Sequence, residues 1–253
     1  MDINNPIGIK SSEPNQSPFI INPSRFGVAG SWDLDEDFTG CTTDQCDGLW
    51  ASSDTGNIDV DTTNNWIHWI GGRGTNTHIA YDLNTLLSGD VDNNAFVLRY
   101  SAIWNAVNSS ATNEQRVGIG NLPQTSSHNA TWDFIGSFIR YFTAASIPET
   151  IRSCGNDESS AGPTGSDTAF VKGTSTTWNF EIARKTSTTF DMIVSDQTDY
   201  SSPTINSTNI TVASTVDNLK YINMLNENAG SGSDGTNSDF KTMQFADGVT
   251  VAP

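Results

Sequence analysis

The sequence predicts an all-β chain folded as an antiparallel two-sheet β-sandwich, and three observations carry that prediction. Side chains alternate apolar and polar with a period of two through most of the chain, and runs with helical spacing are nearly absent. Turn clusters such as Gly71-Gly72-Arg73-Gly74 and the Asn-, Gly- and Ser-rich stretch 226–232 separate the apolar segments. Some segments, including Ala95-Phe96-Val97-Leu98-Arg99-Tyr100 and Phe134-Ile135-Gly136-Ser137-Phe138-Ile139-Arg140-Tyr141, are apolar on both parities. That is the pattern of a sheet packed on one side and partly covered on the other.

The clearest element is a β-hairpin over 175–196. Trp178, Phe180 and Ile182 line one face of its first strand. Phe190, Met192 and Val194 share that face only if the loop is odd-numbered, which a three-residue Thr186-Ser187-Thr188 turn supplies. Asn179, Glu181, Lys185, Asp191 and Ser195 then point to water.

In chain order, residues 1–30 carry Pro6, Pro14, Pro18 and Pro23 among polar residues and read as an extended arm. Its apolar patch, Phe19-Ile20-Ile21, suits addition to a neighbouring sheet, including that of another copy of the chain. Residues 31–253 read as one domain, because no linker interrupts the strand-like segments. Strands are expected at 34–39, 57–62, 65–70, 77–83, 95–104, 115–120, 133–143, 176–184, 188–195, 209–213, 218–225 and 238–246, more than one sheet holds. Thr85-Leu86-Leu87 suits one helical turn. The stretch 144–174 breaks the rhythm with Pro148, Cys154, Gly155, Gly162, Pro163 and Gly165, as a long loop with a binding surface would.

Charge narrows the partners. With 29 Asp plus Glu against 12 Lys plus Arg, the formal net charge is −17, and a phosphate backbone is repelled, which argues against nucleic acid. The Asp-rich acidity suits oxygen-ligated cations or a saline habitat, although a soluble charged surface explains it more simply. No run of about 18 apolar residues exists to cross a membrane as a helix. Residues 1–30 lack the basic start and apolar core of a secretory leader, so either a leader has been removed or export follows another route such as virion assembly, which Met1 favours.

Cys41 and Cys46, in Cys-Thr-Thr-Asp-Gln-Cys, can close a small disulfide loop in an oxidising compartment, whereas a metal pair lacks a second Cys or His cluster. Cys154 is left over and reads better as a buried inert thiol than as an intermolecular bridge. Sequons at Asn15, Asn108, Asn129, Asn206 and Asn209 permit glycosylation, though chance explains most of them in a chain so rich in Asn, Ser and Thr.

Particular strands also resemble a known family. Asp33-Leu34-Asp35-Glu36-Asp37-Phe38-Thr39-Gly40, Thr77-His78-Ile79-Ala80-Tyr81-Asp82-Leu83 and Phe96-Val97-Leu98-Arg99-Tyr100 look like strands of a concanavalin A-like lectin/glucanase domain of the laminin-G-like type. The ending, Leu219-Lys220-Tyr221-Ile222-Asn223-Met224 and then Asp239-Phe240-Lys241-Thr242-Met243-Gln244-Phe245-Ala246-Asp247-Gly248-Val249, is similar to that family's last two strands. Lys241 and Thr242 stand where acidic residues are common, a departure that weakens any inherited calcium site. The resemblance covers about 31–251 and implies a jelly roll with one concave sheet, a fold used for carbohydrate binding, adhesion, virion or filament surfaces and some glycan-cleaving enzymes.

Among candidate sites, glycoside hydrolysis needs two carboxyl groups flanking one bond, and no glutamate here has another four or five positions on. Asp33, Asp35 and Asp37 imitate that spacing with shorter side chains, on a presumed edge strand. They read better as a charged edge or as help in holding a cation. A lyase would use clustered His, Tyr, Gln and Arg, and Arg99, Arg140, Tyr141 and His68 supply the types. For calcium, Asp90 and Asp92 are preferred over Asp59 and Asp61 because Gly89, Asn93 and Asn94 flank them, with an ordinary Asp/Asn turn as the plainer reading. Sugar recognition joins an aromatic platform to planar polar groups. In Asn65-Trp66-Ile67-His68-Trp69-Ile70, alternation puts Trp66 and His68 on one face, the preferred binding pair, with Trp104 and Trp132 as further platforms. The expected function is a non-catalytic carbohydrate-binding or adhesion module on a cell or particle surface outside the cytoplasm. The alternatives are a structural virion or filament subunit assembled through residues 1–30, and a glycan hydrolase or lyase.

Overall fold

The computed structural model describes residues 31–39, 50–52, 58–69, 77–87, 89–106, 113–123, 132–141, 150–156, 168–169, 176–228 and 237–253. In chain order the elements are β1 (Leu34–Glu36), β2 (Trp50–Ser52), β3 (Ile58–Asp61), β4 (Trp66–Trp69), β5 (Thr77–Asp82), α1 (Leu83–Leu87), β6 (Phe96–Ala106), β7 (Asn113–Gly120), β8 (Phe134–Tyr141), β9 (Thr150–Asn156), β10 (Thr168–Ala169), β11 (Thr177–Thr186), β12 (Thr189–Ser195), β13 (Ile205–Thr211), β14 (Tyr221–Asn228) and β15 (Asn237–Asp247). Among the described residues they make two antiparallel sheets. One, eight-stranded, runs β13-β12-β11-β6-β15-β4-β3 with β1 also on β15; the other, seven-stranded, runs β10-β9-β8-β7-β14-β5-β2. This is the expected two-sheet sandwich, a concanavalin A-like jelly roll.

The inner faces follow from the period of two. Leu98, Tyr100, Phe180, Ile182, Met192, Phe240 and Phe245 of the eight-stranded sheet pack on Ile79, Val117, Ile119, Ile135, Ile139, Ile222 and Met224 of the other. The Tyr100 ring stacks on Phe180 at 4.4 Å, and its hydroxyl meets Ser137 Oγ of the facing sheet at 2.6 Å. Burial pushes that phenol well above its ordinary pKa. Each of these fully buried aromatics contributes on the order of 2 kcal/mol by leaving water.

The hairpin puts Phe180 opposite Val194, Ile182 opposite Met192 and Arg184 opposite Phe190. Its turn is two residues, Ser187-Thr188, and a register shift between Arg184 and Thr186 leaves Lys185 as the extra residue that keeps the parity odd. Asn179 and Ser195, expected in water, are buried, because the segment after β12 folds back over that face and Tyr200 donates its hydroxyl to Phe180 O at 3.1 Å. Helix α1 forms over the expected single turn; Asp82 Oδ1 accepts from Asn84 N at 3.0 Å as an N-cap. The presumed loop 144–174 contains β9 and β10. Ile151, Ser153 and Gly155 face inward from β9, and small inward residues leave no apolar signal in the sequence. The 1–30 arm, Cys41, Cys46, Asn108, Asn129 and the side chain of Cys154 lie outside what is described.

Candidate functional site

A sandwich has two further faces, those turned away from the partner sheet, and here they differ. On the seven-stranded sheet, alternation sends His78, Ala80, Arg116, Gly118, Gly120, Phe134, Gly136, Phe138, Asn223 and Leu225 outward, and all are buried. Trp132, Phe134 and Phe138 form an apolar cluster separate from the main core. Phe134 crosses a glycine pair: Gly118 faces Gly136, and a Cβ on Gly118 would lie 2.6 Å from the Phe134 ring. The Arg116 guanidinium lies 4.6 Å from the Phe138 ring centroid. Burial holds the His78 imidazole below its ordinary pKa, because the charged form loses solvation. This face is closed.

The outer face of the eight-stranded sheet is covered in part, with Val97, Ala183, Ala246, Ser101, Asn179 and Ser195 buried on it, but around Trp66 and His68 it is half-exposed and polar. Trp66 and His68 of β4 project from it while Ile67, at 2% exposure, enters the core. Asp239 of β15 pairs directly with His68, and its buried carboxylate accepts the His68 Nδ1 hydrogen. That bond holds the proton on Nδ1 and leaves Nε2 as the ring's acceptor, and the His68 side chain is 30% exposed. Beside them β15 slips register between Phe240 and Thr242, leaving Lys241 as a bulge residue. Its Nζ lies 4.5 Å from the Trp66 ring centroid and donates to Thr177 Oγ1 at 2.7 Å. Trp66, His68, Lys241, Thr177 and Ile103 are all half-buried, within reach of a ligand.

Further along this face Arg99 pairs with Glu181, Nε at 2.8 Å and Nη2 at 2.5 Å from Oε2. Its guanidinium sits 5.5 Å from the Trp32 ring and 4.5 Å from the Tyr200 ring. Burial raises the Tyr200 phenol, with Glu181 adding to the shift and Arg99 opposing it. Arg99 is therefore held by Glu181 and by two aromatic rings, with its side chain 25% exposed.

The residues singled out by their sequence pattern separate accordingly. Trp66 and His68 come together as expected. Arg99 and His68 lie on the eight-stranded sheet, but Arg140 and Tyr141 lie on β8 of the other, so the four do not converge; the side chains of Arg140 and Tyr141 are outside the described residues. Trp104 is no surface platform. It is 1% exposed and donates Nε1 to Gln115 Oε1 at 2.8 Å, and Gln115 in turn donates to Ser238 Oγ at 2.9 Å. Trp132 is buried on the closed face.

The aspartates are engaged by nearby backbone and side-chain groups. Asp33 Oδ2 accepts from Asp247 N at 2.7 Å, Asp35 Oδ1 from Gln244 Nε2 at 2.9 Å, and Asp92 Oδ1 from Asn94 N at 2.8 Å, the plain Asx turn. Asp90 faces Lys220 at 3.8 Å. Asp61 receives Thr63 N, Asn64 N and Asn64 Nδ2, and the Asn64 contacts hold it below the usual carboxylate range. Among the described residues no three His, Cys, Asp or Glu side chains are grouped to hold a metal ion. Asn206 and Asn209 lie exposed on edge strand β13, with Asn209 at φ 54°. Asp239, Lys241 and Thr177 carry no local pattern that marks them as site residues; only the presence of a lysine where acids are common draws attention to Lys241.

The fold and this face define the chain as a concanavalin A-like sandwich with a half-exposed aromatic and polar surface. No protein-family model and no curated protein matches the sequence. Among solved structures it is similar to the CBM2 module of the evolved Dit of Lactobacillus casei BL23 phage J-1, at 10% identity over 88% of this chain and 97% of that one, TM-score 0.61. It is similar to the potassium-bound Emp46p carbohydrate recognition domain, at 11% identity over 87% and 100%, TM-score 0.58. It is also similar to the alginate lyase Aly36B, at 8% identity over 86% and 98%, TM-score 0.57. At such identities the likeness is one of fold.

Proposed function

We propose that the protein is a non-catalytic carbohydrate-binding module that takes a saccharide on the outer face of its eight-stranded sheet, around Trp66 and His68. The observation that carries this reading is the contrast between the two outer faces: one is sealed, and the other holds an indole, an oriented imidazole and an ammonium side by side and half exposed. An aromatic ring with hydrogen-bonding groups around it is what a sugar requires. Among the solved neighbours named above, one is described as a carbohydrate recognition domain and another as a CBM2 module, beside an alginate lyase. Arg99, His68, Arg140 and Tyr141, which supply the side-chain types a lyase uses, are divided between the two sheets, which favours binding over a lyase built on those four.

Such shallow recognition gains affinity from repeated copies, which suits display on a cell or virion surface with the copies joined through residues 1–30. The test is a glycan array probed with the purified protein, with and without calcium, followed by a reducing-end assay on whatever binds. Binding without cleavage that falls at least about tenfold in Trp66→Ala and His68→Ala is expected. Glycan binding indifferent to both substitutions would sink this site, and no binding to any glycan would favour the assembly subunit.

A further inference from the structure

Lys241 alters what Trp66 can do. Its ammonium occupies one face of the indole at 4.5 Å, so a sugar ring cannot stack on that face. The lysine is also unusual in its company. Lys185 faces Asp191 and Lys220 faces Asp90, each at 3.8 Å, whereas Lys241 is held by a ring and by the Thr177 hydroxyl, with no carboxylate partner among the described residues. In a chain of net charge −17 a cation left without an acid is not for want of acids. The nearest carboxylate on the same strand, Asp239, is engaged with His68 Nδ1. The bulge between Phe240 and Thr242 is what brings Lys241 over Trp66.

We infer that this face selects an acidic saccharide: Lys241 Nζ receives an anionic substituent of the sugar, and His68 Nε2 hydrogen-bonds a neighbouring hydroxyl. This rests on the carbohydrate-binding reading and names its ligand class. An ammonium offers three donors, of which Thr177 Oγ1 takes one and the ring covers a second direction, leaving one for the ligand. Trp66 and Thr177 pre-position the flexible lysine stem, so little side-chain entropy is lost on binding. Two residues apart on β4, Trp66 and His68 lie about 7 Å from each other along the strand, a span that one pyranose ring with its substituents covers. The surrounding negative charge opposes an anion at long range, but beyond about 8 Å it is largely screened at physiological salt, and the contact decides the preference.

The test measures binding of the full chain, at physiological ionic strength in NaCl, to four probes: a polyuronate, the same polymer after carboxyl reduction, dextran sulfate and dextran. The expected result is an acidic probe bound at least about tenfold more tightly than its neutral counterpart, with that preference lost in Lys241→Met and kept in Lys241→Arg. A preference for polyuronate identifies the anion as a carboxylate, and one for dextran sulfate alone identifies it as a sulfate ester. Equal binding of acidic and neutral probes overturns the inference and leaves the carbohydrate module standing. A preference that persists in Lys241→Met, in protein with an unchanged urea midpoint, overturns it as well. If Lys241→Met does not fold, the wild-type comparison of reduced and unreduced polymer still decides whether acidity is recognised, and Lys241→Gln replaces the methionine variant. Failure to bind any saccharide defeats the module reading and this inference together.

Discussion

The two outer faces are built from the same alternation and come out differently, one closed over its centre and the other half-exposed around Trp66 and His68. On the seven-stranded sheet the outward row is small at its centre, with Ala80, Asn223, Gly118 and Gly136 in register across four strands, and large aromatics lie against it. On the eight-stranded sheet one outward row, Ala183, Val97 and Ala246, is likewise small and buried, whereas the others carry polar pairs across strands: Asp35 with Gln244, Arg99 with Glu181, Ser101 with Thr242 at 2.7 Å, and His68 with Asp239. Small outward residues let a ring lie flat on the backbone and exclude water. Long polar residues satisfied by their neighbours keep a face wet. Burial on an outer face is therefore set by side-chain size along a row, and the alternation itself leaves it open.

This contrast can be attacked at measurable places. The largest effect is expected from Phe134→Ala on the closed face, which empties the space over the glycine pair and costs about 3–5 kcal/mol in urea unfolding. Gly136→Ala comes next, at about 1–3 kcal/mol, because the new methyl meets Val117 O and lies 2.7 Å from Gly118 Cα, and backbone cannot yield as a flexible side chain can. Wild-type-like stability of either variant would mean that the face is not packed as described.

His78 probes the closed face through pH. Its folded pKa lies below the ordinary value of 6.5, so below that value the unfolded chain binds more protons and stability falls as pH falls. The slope from this one group is at most about 1.4 kcal/mol per pH unit, and His78→Gln should flatten it in a urea series from about pH 7.5 to about pH 5. A series with the same slope in both proteins would remove His78 as the cause.

Trp66→Ala, on the open face, is expected to change stability least, by under about 1 kcal/mol, while abolishing most glycan affinity. A loss of several kcal/mol would class Trp66 with the packed aromatics.

How much of this is legible in the sequence depends on whether the signal is local. The 177–195 hairpin is legible because each inward residue is large and apolar, and even a wrong turn length keeps the right parity, since the bulge at Lys185 supplies the missing residue. Strand β9 is not, because Ser153 and Gly155 face inward without being apolar. Trp66 and His68 stand out because they are two residues apart. Asp239 does not, because it lies 171 residues from His68 and only the pairing of β15 with β4 unites them. Trp104 misleads because position near a strand end says nothing about depth; its partner Gln115 gives its indole a buried acceptor that the sequence does not advertise.

The all-β class, the face on which each regular strand buries its apolar residues, and the joint projection of Trp66 and His68 are written in the amino-acid order alone, because all three follow from the two-residue period along one chain. Which outer face is closed, that Arg140 and Tyr141 part from Arg99 and His68, and that Lys241 rests on Trp66 are settled only once the sheets assemble. Those outcomes depend on sheet order and on a bulge in β15. They arise from hydrogen bonds between strands far apart in the chain, where no local period reaches.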